Sequence, residues 1–143
     1  MGCRTGPAEV VGVGVDVVEL DRIGRAYARH GARFLERLYA ADEVAYCTAK
    51  RPHAAVACLA ARFAAKEAVM KALGTGRIGV GFSEIAVVHR RGGRPGVRLV
   101  GRAARVAERL GVDEICLSIS HGRDVAVAVA IAISRRPGGP ASP

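Results

Sequence analysis

Asp16, Glu67 and Lys71 are charged residues that lie within otherwise apolar stretches of the sequence. A buried charge without a partner is costly, so each of them predicts either a compensating group or a functional site. Carboxylates beside basic groups suit Mg²⁺ and phosphates, because Mg²⁺ prefers oxygen ligands and often takes only one or two from the protein. The structural alternative is a satisfied aspartate at Asp16 and an ordinary surface ion pair between Glu67 and Lys71, which are four residues apart.

Three further features could bind an anion, and each also has a structural explanation. His121 lies next to a predicted turn, where it could bind phosphate or be merely exposed. Thr75 lies between Gly74 and Gly76 and could offer backbone N–H groups to an anion, although a helix end explains both glycines. Arginines at helical spacing form a basic row at positions 22, 25 and 29. The row Arg22, Arg25 and Arg29 is either a solvated helix face or a docking surface for acidic helices.

The formal net charge of +9 favours an anionic partner, which could be nucleic acid, a phosphorylated cofactor or an acidic protein. Aromatic residues make up 4% of the chain and no nucleic-acid-binding motif is present, which counts against nucleic acid. The four cysteines lack CxxC spacing, so we expect thiols outside disulfides and zinc sites, in the cytoplasm. Residues 1–7 contain no apolar signal segment, and the longest apolar run, 125–133, is too short to span a membrane.

The elements that must position these residues follow from hydrophobic periodicity and from the glycines and prolines between the periodic stretches. The pattern predicts an α+β fold with mainly antiparallel strands and one long central helix, in one domain over residues 10–133 between flexible tails at 1–9 and 134–143. The predicted strands are 10–18, 83–88, 97–100, 115–120 and 125–133. The predicted helices are 19–29, 34–38, 41–46 with Asp42 as N-cap, 54–73 and 102–110. Arg62 and Lys66 also interrupt the long apolar helix, which predicts a cleft or an interface along it.

Three segments, in this order, resemble the short bacterial type of 4'-phosphopantetheinyl transferase, the holo-(acyl carrier protein) synthases. Residues 12–16 (GVGVD), with Glu19 and Arg22, are similar to the opening motif of that family. Residues 62–76, which include RFAAKEA and KALGTG, are similar to its central motif, and residues 118–121 (SISH) to its closing one. The similarity covers about residues 10–133, and the length of the central motif makes it specific.

The resemblance implies that Asp16 and Glu67 bind Mg²⁺ and act in catalysis together with Lys71, which contacts the phosphates of coenzyme A. Val18 stands where larger members of the superfamily have a second acidic metal ligand, so water is expected to complete the metal shell. The resemblance assigns the remaining coenzyme A contacts to Lys50, Arg51, Arg62, Gly74, Thr75 and His121. It assigns docking of the acidic carrier protein to Arg22, Arg25 and Arg29.

The resemblance also implies the reaction, in which a serine hydroxyl of an apo-acyl carrier protein of fatty acid or polyketide synthesis attacks coenzyme A and 3',5'-ADP leaves. The proton acceptor stays open between Glu67 and a water on the metal. A homotrimer with active sites between its subunits is expected. Two other functions remain open, a basic nucleic-acid-binding module and a Mg²⁺-dependent hydrolase of the coenzyme A diphosphate.

Overall fold

The computed structural model describes residues 7–76 and 79–135. Its elements form two antiparallel sheets, one of three strands in the order β1-β5-β4 and one formed by β2 and β3. The strands are β1 Glu9–Glu19, β2 Ile85–His89, β3 Pro95–Leu99, β4 Glu114–His121 and β5 Val125–Ser134. The helices are α1 Leu20–His30, α2 Ala32–Leu38, α3 Ala41–Thr48, α4 Pro52–Leu73 and α5 Gly101–Leu110, and a short 3₁₀ turn spans Phe82–Glu84.

Helix α4 lies against one face of the three-stranded sheet, and small residues on both sides allow a close approach. A side chain at Gly12 or Gly14 would overlap the carbonyl oxygens of Ala72 and Ala68 on α4. Four alanines of β5 on the same face are fully buried, at positions 126, 128, 130 and 132. Because strand side chains alternate between faces, Asp16 is on the same face as Gly12 and Gly14, next to α4.

The predicted fold class and the long central helix are confirmed. The five predicted strands are also present, and their observed ends differ from the predicted ones by no more than two residues. Gly74 ends α4 in the left-handed conformation with a φ of 72°, as predicted. The N-cap prediction at Asp42 is wrong, because α3 begins at Ala41 and its N-cap residue is Ala40, two residues before Asp42. β1 includes Glu9 and β5 includes Ser134, while the tail residues 1–6 and 136–143 lie outside the described residues.

β1 is buried on one face only, although its nearly continuous apolar sequence is typical of a strand that is buried on both faces. Val13, Val15 and Val17 point away from α4 and are 52–60% exposed. They are paired in the sheet with Ile131, Val129 and Val127 of β5. An antiparallel sheet with a solvated outer face normally has polar residues there, so this apolar face is typical of a surface that packs against another protein.

Cys47 of α3 and Cys58 of α4 form a disulfide. The expectation of thiols outside disulfides is therefore wrong for this pair, whose residues are 11 positions apart in sequence and meet only through the packing of two helices. Cys3 lies outside the described residues. Cytoplasmic localisation, which was inferred from the cysteines, stays a prediction. Within residues 7–76 and 79–135, none of the helices is apolar over enough of its length to cross a bilayer.

Candidate active site

Asp16 and Lys71 meet where β1 crosses the C-terminal half of α4. Lys71 Nζ lies 3.2 Å from Asp16 Oδ1 and also donates a hydrogen bond of 2.9 Å to the carbonyl oxygen of Val15. The Asp16 side chain is 18% exposed and that of Lys71 is 52% exposed, so the pair lies at the surface with the carboxylate on its inner side. The two ends of this ion pair are thus accessible to a ligand that carries negative charge or a cation.

Glu67 lies one helical turn before Lys71 on α4 and is half-buried. Residues four apart on a helix project from the same face, so Glu67 and Lys71 share the side of α4 on which Lys71 reaches Asp16. The carboxylates of Asp16 and Glu67 are hard oxygen ligands, which fit Mg²⁺ with its other positions left to water and phosphate. Within the described residues, no group of three or more histidine, cysteine or acidic residues is arranged to hold a metal ion. The metal prediction therefore rests on two carboxylates.

The segment after α4 uses its backbone amides to end the helix. The N–H of Gly74 donates to the carbonyl oxygen of Lys71, and the N–H of Thr75 donates to that of Met70, at 3.1 and 3.2 Å. The N–H groups of Gly74 and Thr75 thus already have acceptors in α4, which favours the helix-end explanation of these glycines over an anion site. The Thr75 hydroxyl contacts the Met70 and Gly76 carbonyl oxygens at 3.4 and 3.3 Å. Coenzyme A binding by Gly74 and Thr75 stays a prediction.

Arg62 lies two and a half turns before Lys71 on α4 and belongs to a different group of side chains. Its guanidinium stacks 4.7 Å from the ring centre of Tyr46, and Lys50 Nζ lies 4.6 Å from the same centre. Arg62 Nη2 is 3.3 Å from His89 Nε2. A guanidinium can only donate, so this hydrogen bond requires a His89 ring without a proton on Nε2. The structure thus brings together two predicted coenzyme A ligands, Lys50 and Arg62, around a tyrosine that the sequence did not single out.

Lys66 is fully buried and does not line a cleft, contrary to the sequence prediction. Its ammonium donates a 2.7 Å hydrogen bond to the buried carboxylate of Glu43 and further hydrogen bonds to the carbonyl oxygens of Phe82 and Ile85. Burial lowers the pKa of Lys66, and the charge of Glu43 acts in the opposite direction. Glu43 also accepts from the Ala40 and Val87 amides and lies 3.9 Å from Arg62 Nε, so it connects α3, α4 and β2.

The periodicity of α3 gives no sign that Glu43 is buried, because its partners come from other elements. The spacing of Glu43 and Ala40 is the one available signal, since an acidic residue at the third helical position commonly accepts from the N-cap amide. Burial also lowers the pKa of Arg62, with Glu43 again acting in the opposite direction.

The remaining predicted ligands are dispersed over the surface of the chain. Arg51 is exposed at the N-cap of α4, and His121 is exposed at the end of β4, which is the sheet strand furthest from β1. A single chain therefore does not bring His121 to Asp16. The predicted docking residues form one exposed stripe on α1, at Arg22, Arg25 and Arg29.

Comparisons with known proteins show the family to which the chain belongs. The sequence profile of the 4'-phosphopantetheinyl transferase superfamily matches residues 12–130. The chain belongs to this superfamily. A holo-[acyl-carrier-protein] synthase of Desulforudis audaxviator is 50% identical over 124 residues, which are 87% of this chain and 93% of that protein.

Two solved structures of this kind are similar to the chain in fold. The acyl carrier protein synthase of Plasmodium yoelii with ADP bound matches with a TM-score of 0.83 at 27% identity, over 92% of this chain and 100% of that one. A holo-(acyl-carrier-protein) synthase from Bacillus anthracis in complex with CoA (3',5'-ADP) matches with a TM-score of 0.73 at 32% identity, over 87% and 97%. The predicted family, phosphopantetheinyl transferase fold and enzyme class are therefore confirmed.

Proposed function

We propose that this phosphopantetheinyl transferase moves the 4'-phosphopantetheine group of coenzyme A to a serine of an apo-acyl carrier protein, with Mg²⁺ and with release of 3',5'-ADP. The observation that carries the proposal is the contact of Lys71 with Asp16, beside Glu67 on the same face of α4. These three residues place two carboxylates, which could bind a divalent cation, next to an ammonium that could bind a phosphate. The names of its relatives, and the coenzyme A complex of one of them, support the choice of substrates.

In the proposed reaction, Asp16 and Glu67 hold Mg²⁺, and the exposed ammonium of Lys71 binds the diphosphate of coenzyme A. When bound, the cation supplies electrostatic neutralisation of the diphosphate. Lys71 contributes positive charge to the same group, and phosphoryl transfer depends mainly on such positioning and charge stabilisation. Lys71 must shift part of its contact from Asp16 to the phosphate, which its half-exposed side chain allows.

The nucleotide half of coenzyme A is proposed to bind at the basic group of Lys50, Arg62 and His89. Arg62 Nε is buried and has no hydrogen-bond partner among the described residues. Glu43 supplies one negative charge against the two positive charges of Lys66 and Arg62, and Lys50 adds a third positive charge nearby. This excess of positive charge supports the binding of an anion, although Arg51 and His121 would have to complete the site.

A homotrimer is proposed because the outer face of the three-stranded sheet is apolar. Val13, Val15 and Val17 are exposed there and would be covered by the two neighbouring chains of a closed ring. Packing of neighbouring chains would also bring residues such as His121, which β5 separates from β1 within one chain, to the active site of another. The carrier protein is proposed to dock on the exposed arginines of α1.

The proposal is tested with purified protein, Mg²⁺, coenzyme A and several apo-acyl carrier proteins. We expect each carrier that is a substrate to gain one phosphopantetheine by mass, with 3',5'-ADP as the other product. Consumption of coenzyme A without a carrier would identify the hydrolase instead. Salt-dependent binding to DNA or RNA without any mass gain would favour the nucleic-acid-binding module.

A further inference from the structure

Tyr46 is the common contact of three basic side chains that come from three different parts of the chain. Lys50 follows α3, Arg62 belongs to α4 and His89 ends β2. The Lys50 ammonium and the Arg62 guanidinium lie 4.6 and 4.7 Å from the ring centre, and the His89 ring centre is 4.6 Å away. The two distances to the charged groups are within the range of cation–π attraction, the contact with His89 is one between rings, and Tyr46 itself is 42% exposed.

The charged pair in this group needs an explanation, because the positive charges of Lys50 and Arg62 repel each other across the ring. Of the two carboxylates that act on Arg62, Glu43 is already hydrogen-bonded to Lys66 and is 3.9 Å from Arg62 Nε, and Asp42 is paired with Arg98. The aromatic face offsets part of the repulsion, and an anionic ligand would offset the rest. Arg62 is 5% exposed, so its direction is set by the side chains around it.

We infer that Tyr46 is a positioning residue for the nucleotide half of coenzyme A. Its ring holds the charged ends of Lys50 and Arg62 in fixed places, where they act on the phosphates of that half, and Tyr46 contributes no group to the chemistry. The inference rests on the proposed function. Arg62 and Lys71 are nine residues apart on α4, about 13 Å along the helix axis, so Tyr46 acts on a different part of the ligand from the Asp16–Lys71 pair.

The test measures the affinity of the full chain for 3',5'-ADP by calorimetry. Tyr46→Leu removes the ring, and loss of two cation–π contacts should weaken binding about five- to thirtyfold. Tyr46→Phe keeps the ring and should bind within about twofold of the wild type. Tyr27→Leu is the matched control, since it makes the same change in a tyrosine of α1, and it should leave the affinity unchanged.

Kinetics separate positioning from a general loss of structure. Tyr46→Leu should raise the KM for coenzyme A and leave kcat and the KM for the carrier protein nearly unchanged. Because Tyr46 is partly exposed, the variant is expected to fold, and Tyr46→Gln is a second removal of the ring that suits an exposed helix position.

Wild-type affinity in both ring-less variants would overturn the inference, and so would an equal loss in Tyr46→Phe, which would make the hydroxyl the important group. If the wild type neither bound 3',5'-ADP nor modified a carrier, the proposed function would fall as well. An active wild type with an unaffected Tyr46→Leu variant would overturn the inference alone.

Discussion

Lys71 Nζ lies 3.2 Å from Asp16 Oδ1, although the two residues are 55 positions apart in sequence. Two glycines of β1 make this contact possible, because any side chain at Gly12 or Gly14 would overlap the backbone of α4. The glycines of the opening motif therefore have a steric role, because they allow the strand to approach the helix closely. Asp16 lies on the same face of the strand, two residues after Gly14. Substitution of either glycine would displace the candidate active site as well as the core.

Asp16→Asn and Glu67→Gln should each abolish most of the transfer activity. Both changes keep the shape of the side chain and remove the charge that Mg²⁺ requires. If the defect is weakened metal binding, a higher Mg²⁺ concentration should recover part of the activity. The measurement is the initial rate of holo-carrier formation against Mg²⁺ concentration, with circular dichroism to check the fold. Near-normal activity of Asp16→Asn at low Mg²⁺ would assign Asp16 a structural role instead.

Charge reversal on α1 should affect one substrate only. Arg22→Glu or Arg29→Glu should raise the KM for the carrier protein several-fold and leave the KM for coenzyme A nearly unchanged, since steering acts on the acidic protein. The effect should shrink with added salt, because the Debye length is about 8 Å at physiological ionic strength. Arg109→Glu is the matched control for Arg29→Glu, since both arginines lie in the last turn of a helix. Equal changes for both substrates would contradict docking on this face.

Loss of the buried carboxylate should destabilise the fold. Glu43→Gln leaves the Lys66 ammonium buried without its counter-charge, which typically costs about 3–5 kcal/mol in the free energy of unfolding. Urea denaturation of the variant and the wild type measures this change in the free energy of unfolding. Asp42→Asn is the control on the same helix, because Asp42 forms an exposed ion pair with Arg98 and such pairs contribute little. The double variant Glu43→Gln/Lys66→Met should recover part of the loss, and an equal cost for Glu43→Gln and Asp42→Asn would exclude a buried ion pair.

The sequence predicts the elements well, because hydrophobic period and glycine positions are local signals, and helix α4 with its end at Gly74 is the clearest case. It predicts the candidate site through motifs that resemble a known family. It fails where a property depends on packing between distant elements. The burial of Lys66 depends on Glu43 of α3 and on carbonyl groups near β2, and the Cys47–Cys58 disulfide depends on how α3 lies against α4. The role of Tyr46 depends on the same packing.

The exposed valines of β1 lead to the last prediction, which concerns assembly. If the outer face of the sheet joins three chains, Val13→Lys or Val17→Lys should place a charge in that interface and lower the molar mass in light scattering from that of a trimer to that of a monomer.

Val100→Lys is the matched control, because Val100 is similarly exposed at 48% but lies at the start of α5, outside the sheet. It should leave the mass unchanged. Since the proposed active sites lie between chains, the monomeric variants should also lose transfer activity while circular dichroism shows that their folded structure persists. A Val13→Lys protein that stays trimeric would place the interface elsewhere. A monomeric variant with full activity would show instead that one chain holds a complete site.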